Sequence, residues 1–475
     1  MSNANVKADL KNTPRVKRRG SSKINMCEGP IFPLLVRFAI PVLVTGVLQV
    51  LFNAADIMVV GQFGSQHSLA AVSSTGSITA LIVNLFIGLT AGSTVLCARF
   101  FGAGDKKALS ETVHTSMYIS VIIGVVLGIF GMLFSESLLA MMGVPQEVLP
   151  LAALYMRIYF IGVIPSLIYN FAASILRSVG DTKRPMYILT SAGVINVVLN
   201  LIFVIALKMD VAGVALATVI SQLFSAVLTV ACLMKESDDI RLCISKLRIT
   251  TRRLWQIIAI GLPSGLHSTM FSLANVVVQS SINSFGPAVM AGSGASSSIE
   301  SLLFTSLSSI SQAIVAFTSQ NFGKYNYKRI VKAHLIGQGI TYTFGLALCL
   351  LAVGFAGPLI SLYADGAEEI AAGVAKLQMI GILVFVYNSS DIAIATMRGI
   401  GSSLAPTITS VFSVCGVRLL WISTIFQTPQ FHTVSWLYMV FPISYVLSLV
   451  AQMTCMIILL RRVKKRYPAP IIPAT

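Results

Sequence analysis

The chain has 475 residues, of which 55% are hydrophobic and 11% charged, and its formal net charge is +17. A soluble domain carries roughly 25% charged residues, so this composition excludes an ordinary soluble enzyme or binding module. The basic excess lies in short connections without interleaved aromatic residues, which argues against a nucleic-acid surface.

The first 30 residues are polar, basic and rich in Ser and Asn, and they are expected to form a disordered cytoplasmic tail. No apolar run before a small-residue cleavage site marks a signal peptide there. Six apolar spans follow, at roughly 33–60, 69–96, 112–134, 151–175, 184–207 and 211–234. Each is long enough to cross a bilayer as a helix of about 20 residues or more. A mixed-charge linker over 236–253 leads to six more, at roughly 254–283, 290–318, 329–352, 371–396, 405–427 and 433–460. A basic tail over 461–475 ends the chain. No period-2 stretch suggests a barrel, so the expected fold is an all-α integral membrane protein of about twelve helices with internally satisfied backbones. The lobes are expected over 31–235 and 254–460.

The halves repeat one another. Pro41, Asn53 and Phe63-Gly64 recur 222 positions later as Pro263, Asn275 and Phe285-Gly286. Phe101-Gly102 recurs 221 positions later as Phe322-Gly323, and Arg177, Gly180 and Pro185 recur as Arg398, Gly401 and Pro406. Six spans per half give both halves the same orientation, related by an axis along the membrane normal, as in transporters whose halves rock about a site between them. Of the 34 lysines and arginines, 30 fall in the N-terminal stretch through Arg37, the C-terminal tail, and the even-numbered connections with the span ends that flank them. The positive-inside rule then expects both termini in the cytoplasm, with the basic rim available to anionic lipid heads.

Three of the 17 acidic residues fall well inside spans: Asp56, Glu300 and Asp391. A carboxylate at a helix centre costs roughly 2.5–3.5 kcal/mol on insertion scales, and such groups face wet cavities or protein interior. Low dielectric favours the neutral acid, which suits a proton carrier; the alternative is a structural carboxylate capped by Ser and Asn. Asp56 sits a helical turn after Asn53, and its repeat partner is Val278, so an ion site in one half only is expected. The same half offers further oxygen ligands: Asn196 and Asn200 one turn apart in span 5, Asn170 and Tyr155 in span 4, and Thr218 in span 6. With Asp56 they form either a hydrogen-bonded cage or a cation site; singly, each reads equally as a helix–helix hydrogen bond. Pro41 and Pro263 open corresponding spans, either as helix starts or as bends, and Pro41 is the candidate hinge. In the second half His267 reads as a satisfied core histidine, and Arg418 stands nearly alone as a basic residue deep in a span. The seven cysteines are scattered without a CxxC pair, so neither disulfide nor zinc site is expected. No Walker, dinucleotide, HExxH or Ser-His-Asp pattern appears, so no enzyme is expected.

Asn53, Asp56, Gly61 and Phe63-Gly64 in span 1 resemble the multidrug and toxic compound extrusion (MATE) transporter family. So do Phe101-Gly102-Ala103-Gly104, the run Arg177 to Thr182 followed by Pro185, and Gly213 to Thr218. The resemblance, to the prokaryotic branch, covers residues from about 30 to 460. It implies two pseudo-symmetric six-helix lobes arranged as a V, in a multi-pass protein of the prokaryotic cytoplasmic membrane. It also implies export of amphiphilic, often cationic, compounds coupled to H⁺ or Na⁺ entry, with no other cofactor. Carried over by position, the cation site would use Asp56, Asn170, Asn196, Asn200 and Thr218 with Tyr155 nearby, Na⁺ resting on Asp56, Asn196, Asn200 and Thr218. Relatives often carry an acid at Asn200, so this site has one carboxylate. Another branch carries acids where this chain has Phe271 and Tyr387. Glu300, Asp391, His267 and Arg418 stand as candidates for the second lobe or cavity. The rivals are a lipid-linked oligosaccharide flippase of the same superfamily, which the scarcity of buried cations disfavours, and a non-transporting membrane receptor or scaffold. The expected partners are small amphiphiles and the bilayer, for a monomer.

Overall fold

The computed structural model describes residues 24–64, 66–236 and 240–466. Twelve of its helices are long and apolar enough to cross a membrane. The first lobe contains Ile31–Phe63 (span 1), Gln66–Ala103 (span 2), Lys106–Met141 (span 3), Leu149–Ser178 (span 4), Lys183–Ala206 (span 5) and Asp210–Met234 (span 6). The second contains Thr251–Asn283 (span 7), Pro287–Gly323 (span 8), Tyr327–Gly354 (span 9), Ala367–Gly399 (span 10), Leu404–Gln427 (span 11) and Val434–Arg466 (span 12).

The duplication is visible in local chemistry. Asp105 caps span 3 by accepting from Ala108 N at 3.0 Å, and Asn326, at the matching repeat position, caps span 9 by accepting from Arg329 N at 3.3 Å. A short side-chain oxygen at this point satisfies one of the orphan amides of a helix start. Pro41 and Pro263 do not start their helices; each lies inside a continuous helix of 33 residues. The ring removes one intrahelical donor, and the carbonyls of both prolines are taken up by hydroxyls. Thr45 Oγ1 donates to Pro41 O at 2.7 Å, and Thr407 Oγ1 to Pro263 O at 2.8 Å.

Span 2 packs on spans 7 and 8, and span 1 on span 8, joining the lobes. A Cβ on Gly102 would collide with the Gln320 backbone, and one on Gly323 with the Arg99 backbone. The two repeated Phe-Gly anchors thus meet across the pseudo-twofold axis. Phe38 and Val42 of span 1 share a core with Leu303, Leu307 and Ile310 of span 8. Further along, Val59 and Val60 pack only within the first lobe, and Val278 and Ile282 only within the second. The lobes are therefore joined at the end that carries the basic connections and separate toward the other, the arrangement of a V.

The expected disorder of the first 30 residues is corrected for its last seven; residues 1–23 lie outside the described part. Met26 is fully buried. Its N–H donates to Gln320 Oε1 at 3.0 Å, and its carbonyl accepts from Asn321 Nδ2 and Arg329 Nε, each at 3.1 Å. The segment is tucked between lobes because its backbone finds partners there. At the other end, span 12 continues as helix through the basic Arg461–Arg466 stretch.

Candidate functional site

Span 1 brings Asp56 to spans 5 and 6. Asn200 Nδ2 donates to Asp56 Oδ1 at 2.5 Å and lies 3.4 Å from Asn196 Oδ1. Asn196 Nδ2 in turn reaches Thr218 Oγ1 at 3.4 Å, and that hydroxyl donates to Val214 O at 3.0 Å. Asn196 and Asn200 are one turn apart, so both side chains project from the same helical face, and both are buried. A five-residue π-helical segment, Ile202–Ala206, begins two residues after Asn200. Tyr155 stacks on Tyr159 with ring centroids 6.1 Å apart, and both lie close enough to Asp56 to sense its charge.

The chain Asp56–Asn200–Asn196–Thr218 thus forms one connected set. Asn170 is not bonded into it; its Nδ2 donates to Ser166 O at 2.8 Å, one turn back on its own helix. One atom in the set is unusual: Asn200 Oδ1 is buried with no hydrogen-bond partner. An orphaned amide oxygen beside a carboxylate is a costly arrangement unless something donates to it or coordinates it. Oxygens from carboxylate, amide and hydroxyl groups are the ligands a small hard cation takes. A protonated Asp56 would also satisfy an amide turned end for end. Among the described residues no three His, Cys, Asp or Glu side chains converge as a transition-metal site.

In the second lobe Glu300 is buried and paired. Its Oε1 accepts from Ser296 Oγ at 2.8 Å and lies 3.5 Å from Lys376 Nζ. The partner Lys376 was not anticipated from the sequence. It stands only five residues inside the predicted tenth span and reads there as a span end. Asp391 lies within electrostatic reach of Arg398 and Tyr387. His267 Nε2 contacts Ser410 Oγ at 3.0 Å, and Ser410 also accepts from Gln452 at 2.7 Å. This is a packed polar contact, as expected of a core histidine. Arg418 is wholly buried, donates to Asn275 Oδ1 at 2.5 Å, and follows a second π-helical segment, Val411–Gly416. Asn275 is the repeat partner of Asn53.

Twelve spans in two lobes, joined at one end around polar residues that a bilayer would not otherwise tolerate, define a multi-pass membrane transporter. A profile of the MatE family matches residues 41–202 and 263–422, and the chain belongs to that family. It is 27% identical over 389 residues to the probable multidrug resistance protein YoeA of Bacillus subtilis, covering 80% of this chain and 84% of that one. It is 26% identical over 407 residues to the FAD transporter of Shewanella oneidensis, covering 83% and 87%. A solved transporter of the MOP superfamily from Pyrococcus furiosus superposes with a TM-score of 0.86 at 23% identity, over 94% of this chain and 99% of that one. The protein is accordingly a secondary transporter of small hydrophobic or cationic compounds that works by alternating access, not an enzyme.

Proposed function

We propose that the protein is an exporter in which entry of one cation, H⁺ or Na⁺, on Asp56 drives outward release of an amphiphilic compound. The observation that carries this reading is the buried, partnerless Asn200 Oδ1 beside the one carboxylate of this cluster, Asp56. A cation bound at Asp56 gives that oxygen a partner and removes the uncompensated charge. Emptying the site restores both costs, so occupancy and lobe geometry are linked. Moving one charge down a potential of about 100 mV supplies roughly 2.3 kcal/mol per ion. The bend available at Pro41 is the proposed moving part, with its freed backbone position in the same helix as Asp56. Multidrug resistance proteins among the relatives support an amphiphilic substrate. The basic connections support a cytoplasmic location for both termini in a prokaryotic plasma membrane, with the monomer as the working unit.

The test is transport in liposomes under separately imposed pH and Na⁺ gradients. One gradient alone should drive dye movement in the parent protein. Asp56→Asn should insert normally and lose at least tenfold of the gradient-driven rate, about 1.4 kcal/mol of activation free energy. Full gradient-driven transport by that variant would overturn the assignment.

A further inference from the structure

Residues of the second lobe line a half-open cavity of about 440 Å³, within the usual range for small-molecule sites. Phe271, Asn275, Glu300, Phe304, Lys376 and Tyr445 are among its lining residues. One buried cation, Lys376, and one buried acid, Glu300, line it, and a second buried cation, Arg418, lies behind its aromatic residues. Lys376 is accounted for: Nζ donates to Ser297 Oγ at 2.6 Å and Ser293 O at 3.1 Å, and it pairs with Glu300. Arg418 is not. It is 0% exposed, and its guanidinium carbon sits 4.5 Å from the Phe441 ring centroid, 5.3 Å from Phe271 and 5.8 Å from Tyr445. All three rings line the cavity, and the guanidinium sits behind them, joined to the lining through Asn275. Nη1 donates to Asn275 and Nε to Ser444 Oγ at 3.4 Å, while Nη2 has no acceptor. Among the described residues Arg418 forms no ion pair. A buried charge without a counter-charge is a strongly unfavourable state, and ring faces compensate it only in part.

We propose that this cavity binds the acidic group of an amphiphilic substrate: a carboxylate or like oxyanion attached to an aromatic body. The oxyanion completes Arg418, taking Nη2 and the amide Nδ2 that Asn275 leaves available when its Oδ1 faces the arginine. The aromatic body lies among Phe271, Phe304 and Tyr445, which contact one another through Tyr387. The two lobes then have opposite polarity. The first presents a lone carboxylate to a cation, and the second a surplus positive charge to an anion. The substrate class so extends to zwitterionic and anionic amphiphiles. This deepens the export reading, on which it rests for the direction of movement but not for binding.

The experiment is equilibrium binding to the purified protein in detergent, where no gradient exists, so that a failure of ion coupling leaves the result intact. The probes are rhodamine B, which carries a free carboxylate, and its methyl ester, which does not. Protein-free micelles supply the correction for partitioning. The parent protein should bind rhodamine B at least about tenfold more tightly than the ester, a modest share of what one desolvated charge pair can provide. Arg418→Gln should abolish that preference while the ester binds as before, and Arg418→Lys should retain part of it. Equal or tighter binding of the ester by the parent protein would overturn the proposal, as would an Arg418→Gln variant that loses both probes alike. If Arg418→Gln does not fold, the parent protein's ratio decides alone, and Asn275→Leu supplies the second variant.

Discussion

Glu300 and Lys376 form a buried pair that holds only while both partners are present. Both are under a tenth exposed, and each has further hydrogen bonds that complete its shell. Desolvation offsets most of their mutual attraction, so the intact pair adds little stability, while removing one partner strands the other. Breaking such a pair costs about 3–5 kcal/mol in soluble proteins. Lys376→Met should therefore lower the melting temperature in detergent sharply, and adding Glu300→Leu should recover most of the loss. A double variant no more stable than the single one would mean that the two side chains act independently. The site residues divide along the same physical line in how legible they were. Asp56, Asn196, Asn200 and Thr218 could be grouped from sequence because helical spacing and the cost of polar groups in lipid both point to them. Asn170 is not hydrogen-bonded to the others, its Nδ2 donating to Ser166 O, and nothing in the sequence says whether an amide turns to a neighbour or back to its own helix. Lys376 was invisible for a related reason: its meaning comes from a partner 76 positions earlier.

At the level of helices, hydropathy locates the part of each element that lipid requires and misses the part that water permits. The third span was expected over 112–134 and runs Lys106–Met141. Its ends carry Lys106, Lys107, Glu111 and Glu136, which good helix propensity keeps in register outside the apolar zone. The π-helical segments beside Asn200 and Arg418 had no sequence signal, since an apolar span reads the same whichever hydrogen-bond period it uses. Such turns are often found at functional sites, and here each lies two residues from a buried polar side chain, Asn200 or Arg418. Close helix contacts were equally hidden. Gly88 of span 2 and Gly265 of span 7 face one another with no room for a Cβ on either, whereas a Cβ on Gly294 would meet nothing within 4 Å. Small residues let backbones approach in membranes. Gly265→Ala should accordingly destabilise the lobe interface by about 1–3 kcal/mol, the usual cost of overpacking. Gly294→Ala should leave the melting temperature unchanged. Equal behaviour of the two variants would show that this interface tolerates separation.

Across the whole molecule, alternating access requires the joined end to come apart, so the contacts that close it set the balance between states. Gln320 is central among them. From the second lobe it accepts the Met26 N–H with Oε1 and donates Nε2 to Ser178 O of the first lobe at 2.8 Å. Asn321 and Arg329 hold the Met26 carbonyl from the same lobe, so the ordered segment before span 1 is a strap across both halves. Arg99 adds a direct tie, donating to Ile400 O at 2.9 Å. Each buried hydrogen bond contributes about 1 kcal/mol net, and an abandoned buried partner costs about 1–3 kcal/mol. Gln320→Leu removes two bonds and strands the Met26 N–H and the Ser178 carbonyl. It should therefore shift the closed-to-open ratio at this end by at least tenfold, since about 1.4 kcal/mol suffices for that factor. The readout is backbone hydrogen exchange followed by mass spectrometry. Exchange should accelerate together in residues 24–29, around Phe101-Gly102 and around Phe322-Gly323, because one opening exposes all three. Faster exchange confined to 24–29 would mean that the strap frays without governing the lobes, and the paired Phe-Gly contacts would then carry the closure by themselves.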